Sequence, residues 1–455
     1  VNCARSFLSA IWRELRGQPD AESLVSFTDS GRFSGVFPVT DLAAASIAAA
    51  ALSASDFLGL SRTRPAVHAD SRLSSLWFGK SLHPIGWQVP PLWDAIAGDY
   101  EAADGWIRLH TNAPHHRAAA LRVLGVQPDK TAVAAAVRAW PAEPLETEVV
   151  NAAGCAAAMR TQAEWRSHAQ GQAVGTEPLI HYRQMEAGAP RSSRHSLGRP
   201  LQGMRVLDLT RVLAGPVATR FLAGLGADVL RLDPPHWNED AIVPEMTLGK
   251  RCARLDLGTP DGKKTFAQLL ADANVFVHGY RPGALDRLGF SERERHGIRP
   301  GLVDVSLDAY GWTGPWKGRR GFDSLVQMSS GIAAAGMQLL GRDRPTPLPV
   351  QALDHATGYL MAAAALCGLR EQVESGRGSV WQLSLARTAA LLTSSDAEPM
   401  SESLAGPGTD DMSDDIEETS WGPARRLRPP LEISGTPLRW DRPASALGSS
   451  APSWA

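Results

Sequence analysis

The chain has 455 residues and a formal net charge of -2, with 44 % hydrophobic and 21 % charged residues. That length suits two or three domains, and the composition is that of a soluble globular protein rather than a disordered or fibrous one. A near-neutral charge gives no general pull toward nucleic acid or anionic membrane, and the Ala-rich helices expected at 42–52 and 360–368 are too short to span a bilayer.

The N-terminal "VNCARSFLSAIWRELRG" has charged residues early and no signal-peptide core, so a cytoplasmic location is expected. Cys3, Cys155, Cys252 and Cys367 are far apart with no CxxC pair, which argues for reduced thiols and against zinc or a redox dithiol. "PVTDLAAASIAAAAL" (38–52) is a small-residue apolar run with one acid, Asp41. "YEAADGWIRLHTNAPHHRAAALRVLGV" reads as a strand pair followed by a helix, and "TAVAAAVRAW" and "TQAEWRSHAQ" add short helices. These make a small α+β unit, closed by the polar linker "RQMEAGAPRSSRHSLGRP".

From Leu201 the pattern changes. "MRVLDLTRVLAGPVATRFLAGLGADVLRLD" reads strand, Gly-Pro turn, helix, Gly turn, strand, with Pro216 in the helix's first turn and Gly226 at its stop. Such βαβ units build parallel sheets with helices on both faces. "DGKKTFAQLLADA", "FDSLVQMSSGIAAAG" and "DHATGYLMAAAALCGLREQVESG" follow as helices, "NVFVHGY" and "GLVDVSLDAYG" as strands, and "GSVWQLSLARTAALL" as a strand entering a helix. The acidic stretch 396–420 buries little apolar area and is expected to be mobile, while "WGPARRLRPPLEISGTPLRWDRP" is expected to dock back on the body.

An internal repeat crosses this order. Asp41 and Asp354 are 313 positions apart, and at that offset Ala43, Ala49, Ala50, Val67 and Ser71 match Ala356, Ala362, Ala363, Val380 and Ser384. The expected fold is therefore α/β: a doubly wound, Rossmann-like large domain plus a smaller α+β domain, with a partial large-domain repeat at the N-terminus. The boundaries are 1–85 for the partial repeat, 86–190 for the small domain, 191–395 for the large domain, and 396–455 for the acidic linker and return segment.

"GMRVLDLTRVLAGPVATRFLAGLGADVLRLDPP", "GKRCARLDLGTPDGKK", "VFVHGYRPGALDRLGF", "LVDVSLDAYGWTGP", "GFDSLVQMSSG" and "ALDHATGYLMAAAAL" occur in the order found in class III CoA-transferases, which this chain resembles. The resemblance covers about 200–395 and, more weakly, 95–185. The family runs large domain, small domain, return segment, so the order here resembles a truncated tandem or a permuted version. The resemblance implies an enzyme that moves CoA from an acyl-CoA to a small carboxylic acid. CoA enters as substrate, no metal or resident cofactor is needed, and the protein is a homodimer, interlocked in that family.

A carboxylate can attack a thioester and divide one acyl exchange into two easier steps. The resemblance assigns that role to Asp354 in "LDHATG". An Asp before an apolar helix is also a common N-cap, and a helix N-terminus favours the ionised, nucleophilic form. Asp41 in the partial copy reads as a structural remnant.

By the same resemblance the CoA-binding residues are Leu213 and Ala214 in "RVLAGP", Leu255 and Gly258 in "LDLG", Gly279, Tyr280 and Arg281 in "GYRPG", Arg287 in "LDRLG", Arg320 in "RRGFDS", and Asp323. Arginine offers CoA phosphates a forked donor. Leu213 stands where formyl-CoA transferase has Gln, which argues against formyl or oxalyl specificity.

An acyl-CoA racemase of the family needs a His where this chain has Phe322, and two-base proton transfer needs two titratable groups. His355 is a poor substitute, because adjacent helix residues point about 100° apart. An inactive CoA-binding protein is the reading from another class. A dinucleotide-binding enzyme is disfavoured because "LAGPVATRFLAG" lacks the G-x-G-x-x-G turn.

Overall fold

The computed structural model describes residues 2–28, 31–188, 198–401 and 404–454, so residues 189–197 of the expected linker lie outside it. The N-terminal segment forms α1 (Asn2–Glu14), β1 (Val25–Phe27), α2 (Val39–Leu58), β2 (Val67–Ala69), α3 (Ser71–Gly79) and β3 (Leu82–Pro84). The small unit follows with β4 (Gly98–Glu101), β5 (Trp106–Leu109), α4 (Pro114–Leu124), α5 (Lys130–Val137), α6 (Ala142–Asn151), β6 (Ala156–Ala158), α7 (Gln162–Ser167) and α8 (Ala169–Thr176). Its strands pair antiparallel in the order β4-β5-β6.

After β7 (His181–Ala187) come β8 (Arg205–Leu209), α9 (Ala214–Gly224), β9 (Asp228–Asp233), α10 (Val243–Met246), β10 (Lys250–Arg254) and α11 (Pro260–Asp272). Then follow β11 (Val275–His278), α12 (Ala284–Arg287), α13 (Glu292–Ile298), β12 (Val303–Asp308), α14 (Asp323–Ser329), α15 (Ile332–Leu339), α16 (Ala352–Ser375), β13 (Arg377–Ser384) and α17 (Leu385–Leu392). One seven-stranded sheet runs β10-β9-β8-β11-β12-β13-β7, parallel except for β7. The strand direction of wrapping reverses between β8 and β11. Strands covered on both faces read as near-continuous apolar runs, and Val275–His278 is buried at every position.

Three expectations change. "FDSLVQMSSGIAAAG" is two helices, because Gly331 sits at φ +85 between them. The end of the acidic stretch is not loose: β14 (Met412–Thr419) pairs with β15 (Gly422–Leu427), which pairs with β3. Cations from elsewhere neutralise it, with Arg426 2.8 Å from Glu417 and Arg72 2.7 Å from Asp411. Finally, the first Ala-rich helix spans 20 residues, long and apolar enough for a membrane span, yet it is wholly buried inside the protein. Its cover includes α16, which runs beside it; Arg370 of α16 pairs with Asp56 of α2.

The two acid-bearing helices begin alike. Asp41 is third in α2 and Asp354 third in α16. The preceding residues, Pro38 and Gln351, have φ/ψ of -76/65 and -75/65, the inverse γ-turn conformation. Each turn is closed by a 2.8 Å bond, Val39 to Phe37 O and Ala352 to Val350 O. β1 lies parallel to β2 as β12 lies parallel to β13. β16 (Leu431–Ile433) adds antiparallel to β2.

Gly358, one turn after Asp354, explains the D-x-x-x-G spacing. A Cβ there would lie 2.4 Å from Ala214 O and 2.7 Å from Val217 Cβ. The missing side chain lets α16 meet the start of α9. Gly358→Ala is expected to destabilise the fold by about 1–3 kcal/mol, the usual cost of overpacking, despite alanine's better helix propensity. Urea unfolding would read it.

Candidate active site

The carboxyl ends of β8, β11 and β12 open on a cavity of about 410 Å³. This is the topological switch point, where open α/β sheets bind ligands. β8 supplies Leu209 and the turn Thr210–Ala214; β11 leads into Gly279, Tyr280 and Arg281; β12 ends in Leu307 and Asp308. Arg319–Phe322 and Asp354 close another side, and His115 and His116 from the first turn of α4 close it from the small unit.

Of the residues expected from the sequence, Leu213, Ala214, Gly279, Tyr280, Arg281, Arg320 and Asp354 line this one cavity. Leu255, Gly258 and Arg287 do not; they lie just after β10 and at the end of α12. Asp323 is fully buried behind Asp354 and is not part of the lining.

Asp354 is 8 % exposed and does not cap its helix: Gln351 holds the N-cap position. Its backbone N–H donates to Asp323 Oδ2 at 3.0 Å. Asp323 also accepts from Gln327 Nε2, whose own Oε1 accepts from Leu348 N at 2.7 Å. Burial, and then the neighbouring Asp323 carboxyl, push Asp354 well above the usual carboxylate range, and burial raises Asp323 as well.

The expectation of a helix-stabilised anion is therefore not met. A helix terminus contributes about 0.3–1 kcal/mol, whereas full burial shifts a carboxyl by up to roughly 3–5 pK units, each about 1.4 kcal/mol. The pair holds a proton that the unfolded chain would have lost, so its contribution to stability falls as pH rises above the ordinary carboxylate range. Asp323→Asn removes the like charge. It is expected to move the acid limb of the activity profile to lower pH, and its stability relative to wild type is expected to improve between pH 4 and pH 7. A pH–rate series and parallel melts would check both.

Asp41 differs. It pairs with Arg32 at 2.5 Å and accepts from Ala4 N at 3.2 Å, as a structural carboxylate does. His355 stacks on Phe78 of α3 (centroids 5.0 Å apart) and does not line the cavity.

Cations dominate the rim. Arg211, Arg281 and Arg320 line the cavity, and among the described residues none has a carboxylate in ion-pair contact. Arg211 lies between two rings, 4.9 Å from the Trp237 centroid and 5.1 Å from that of Tyr280. Beside it Val212 has φ +65, a position a β-branched residue almost never adopts and one that costs about 1–3 kcal/mol.

On the opposite wall Phe322 stacks flat on His110 (3.7 Å, 6°) and meets His116 edge-on. Burial holds His110 and His116 neutral, each pushed down to about 3. Burial raises Asp308 to about 7, against the backbone N–H groups it accepts from Tyr310, Gly311 and Ala309.

Sequence reasoning missed Arg211, Trp237, His115, His116, Asp308 and Arg319. The Arg211 signal was present, since it adjoins the turn already singled out. The "PHH" helix start carries no periodic signal that would aim it at another unit.

These features define an α/β protein with a buried acid in a cation-rimmed cavity at the switch point of its sheet. Residues 201–416 match the family model for CoA-transferase family III. It is similar to succinyl-CoA:glutarate CoA-transferase of Mus musculus (33 % identity over 42 % of this chain and 46 % of that one). It is also similar to succinyl-CoA–D-citramalate CoA-transferase of Chloroflexus aurantiacus (31 %, over 40 % and 48 %). An acyl-CoA transferase of Gibberella moniliformis aligns over more of the chain (30 %, 61 % and 53 %). The chain thus spans about half the length of these relatives. A solved CaiB/BaiF family protein from Brucella suis aligns at 25 % identity and TM-score 0.40 over 50 % of this chain and 65 % of that one.

Proposed function

We propose that the protein is a CoA-transferase that moves CoA from an acyl-CoA to a carboxylic acid, with Asp354 as nucleophile. The observation that carries this is one cavity holding both a buried carboxyl and three arginines that have no carboxylate partner among the described residues. The Asp354–Asp323 pair first gives a proton to solvent. The Asp354 carboxylate attacks the thioester carbonyl; a C–O bond forms, the C–S bond breaks, and CoA thiolate leaves a mixed anhydride. The thiolate then attacks the aspartyl carbonyl, expelling the donor acid as carboxylate and leaving an aspartyl-CoA thioester. An acceptor carboxylate reverses the two steps and departs as its CoA ester.

The start of α9, where Ala214 lines the cavity, offers backbone donors to the developing oxyanion, and the arginines suit CoA phosphates. Phe322 supplies no proton acceptor for α-carbon exchange. In the same proposal CoA is a substrate, no resident cofactor, metal, nucleic acid or membrane takes part, and the enzyme is a cytoplasmic homodimer. The chain's own His115 and His116 line the cavity, so a partner subunit is not required for that wall.

The test is intact-protein mass spectrometry after incubation with acetyl-, propionyl-, succinyl-, glutaryl- and benzoyl-CoA, followed by hydroxylamine trapping. The expected result is a hydroxamate on the peptide holding Asp354. CoA binding without an adduct from any donor would favour an inactive CoA-binding protein.

A further inference from the structure

Glu239 belongs to no motif considered so far, yet it joins two walls of the cavity. It follows β9 in the loop 234–242, and its side chain is 9 % exposed. Its Oε2 accepts from Val212 N at 2.9 Å and from Trp237 Nε1 at 3.0 Å. Its Oε1 pairs with Arg231, which is fully buried and also grips Asp233 at 2.8 and 3.0 Å. Arg254 fixes the same loop from beneath through Pro234 O, Pro235 O and Trp237 O.

We propose that Glu239 is a positioning residue for the coenzyme: its carboxylate clamps the Val212 turn in its left-handed conformation and holds Trp237 against Arg211. Three observations meet here. Val212 is at φ +65 with no glycine to make that easy, so something outside the turn must hold it. The bond to Val212 N is the restraint that does so. The second bond, from the same oxygen, orients the indole that stacks on Arg211, whose guanidinium has no carboxylate partner among the described residues. Releasing Glu239 lets Val212 relax to negative φ, which swings Arg211 and Leu213 out of the cavity wall. Asp354, on α16, stays in place. The effect is therefore on coenzyme affinity and not on the nucleophile.

This inference rests on the proposed function only in taking CoA as the ligand. The experiment measures the Kd of free CoA by titration calorimetry on the full chain, with unfolding midpoints recorded in parallel. Glu239→Ala is expected to weaken CoA at least about tenfold, the scale of losing hydrogen bonds to a charged group. Glu239→Asp, one carbon short of its partners, should do the same and serves if the alanine variant does not fold.

Glu239→Gln loses the Arg231 ion pair and should melt earlier. Both cavity bonds go to one oxygen, which its amide carbonyl can replace, so its Kd should stay within about threefold of wild type. Glycine takes positive φ without strain, so Val212→Gly added to Glu239→Ala should restore most of the affinity.

A merely structural role would move the melting point in all variants and leave the Kd of the folded fraction unchanged. That pattern overturns the inference, as does a Gln variant as weak as the Ala variant. Wild-type protein that binds no CoA overturns the proposed function, and this inference with it.

Discussion

Asp354→Ala is expected to lower acyl transfer by at least about a thousandfold, the scale seen when a covalent nucleophile is removed, and to abolish the trapped adduct. The protein should fold normally. The Asp354 carboxyl makes no helix cap, its backbone N–H still reaches Asp323, and a like-charged neighbour is relieved. CoA should still bind, because the arginines and the Val212 turn are untouched. Asp354→Glu keeps the chemistry but displaces the carboxylate by about one methylene, and misplacement of about 1 Å costs on the order of a hundredfold.

The control is Asp41→Ala at the matching helix start. It should leave transfer unchanged while costing about 1.5–3 kcal/mol, the worth of hydrogen bonds to a charged group, since Arg32 and Ala4 N lose their acceptor. Hydroxylamine trapping and urea unfolding on the two variants separate the roles.

Arg231→Met is expected to cost about 3–5 kcal/mol, the penalty for leaving a buried charge without its partner. Arg231 and Asp233 are both fully buried, and the Arg231 guanidinium is the cation that Asp233 and Glu239 share. Burial already raises the Asp233 carboxyl, and Arg231 is the largest influence holding it down. Without Arg231 its folded pKa rises further, so the protonated form carries the fold. The deficit should therefore be largest above neutral pH and should shrink as pH falls toward 5. Urea midpoints at pH 5 and pH 8 test the sign.

The large sheet was legible because "VFVH" is the apolar run that a strand covered on both faces requires, and because "RVLDL" and "VDVSLD", which carry buried polar residues, alternate with helices in βαβ order. Asp354 was legible as the one acid in the apolar first half of its helix, with a glycine one turn later. Its electrostatics were not, because Asp323 lies 31 residues away in the chain and meets it only after folding. The acidic stretch was misread for the same reason: its cations, Arg72 and Arg426, come from outside it. Glu239 gave no signal because one carboxylate in a polar loop looks like a solvated side chain.

The burial of α2 also sets a schedule for synthesis. Every residue from Val39 to Leu58 is buried, and the helix that lies along it, α16, begins at Ala352. At roughly 5–20 residues per second, the ribosome needs about 15–60 s to reach that partner after α2 is complete. β2 waits longer, until β16 arrives to cover its free edge. For that interval a largely apolar helix is without its main cover. The nascent chain is thus a natural client for holdase chaperones, and slowing translation late in the message would lengthen its exposure to aggregation.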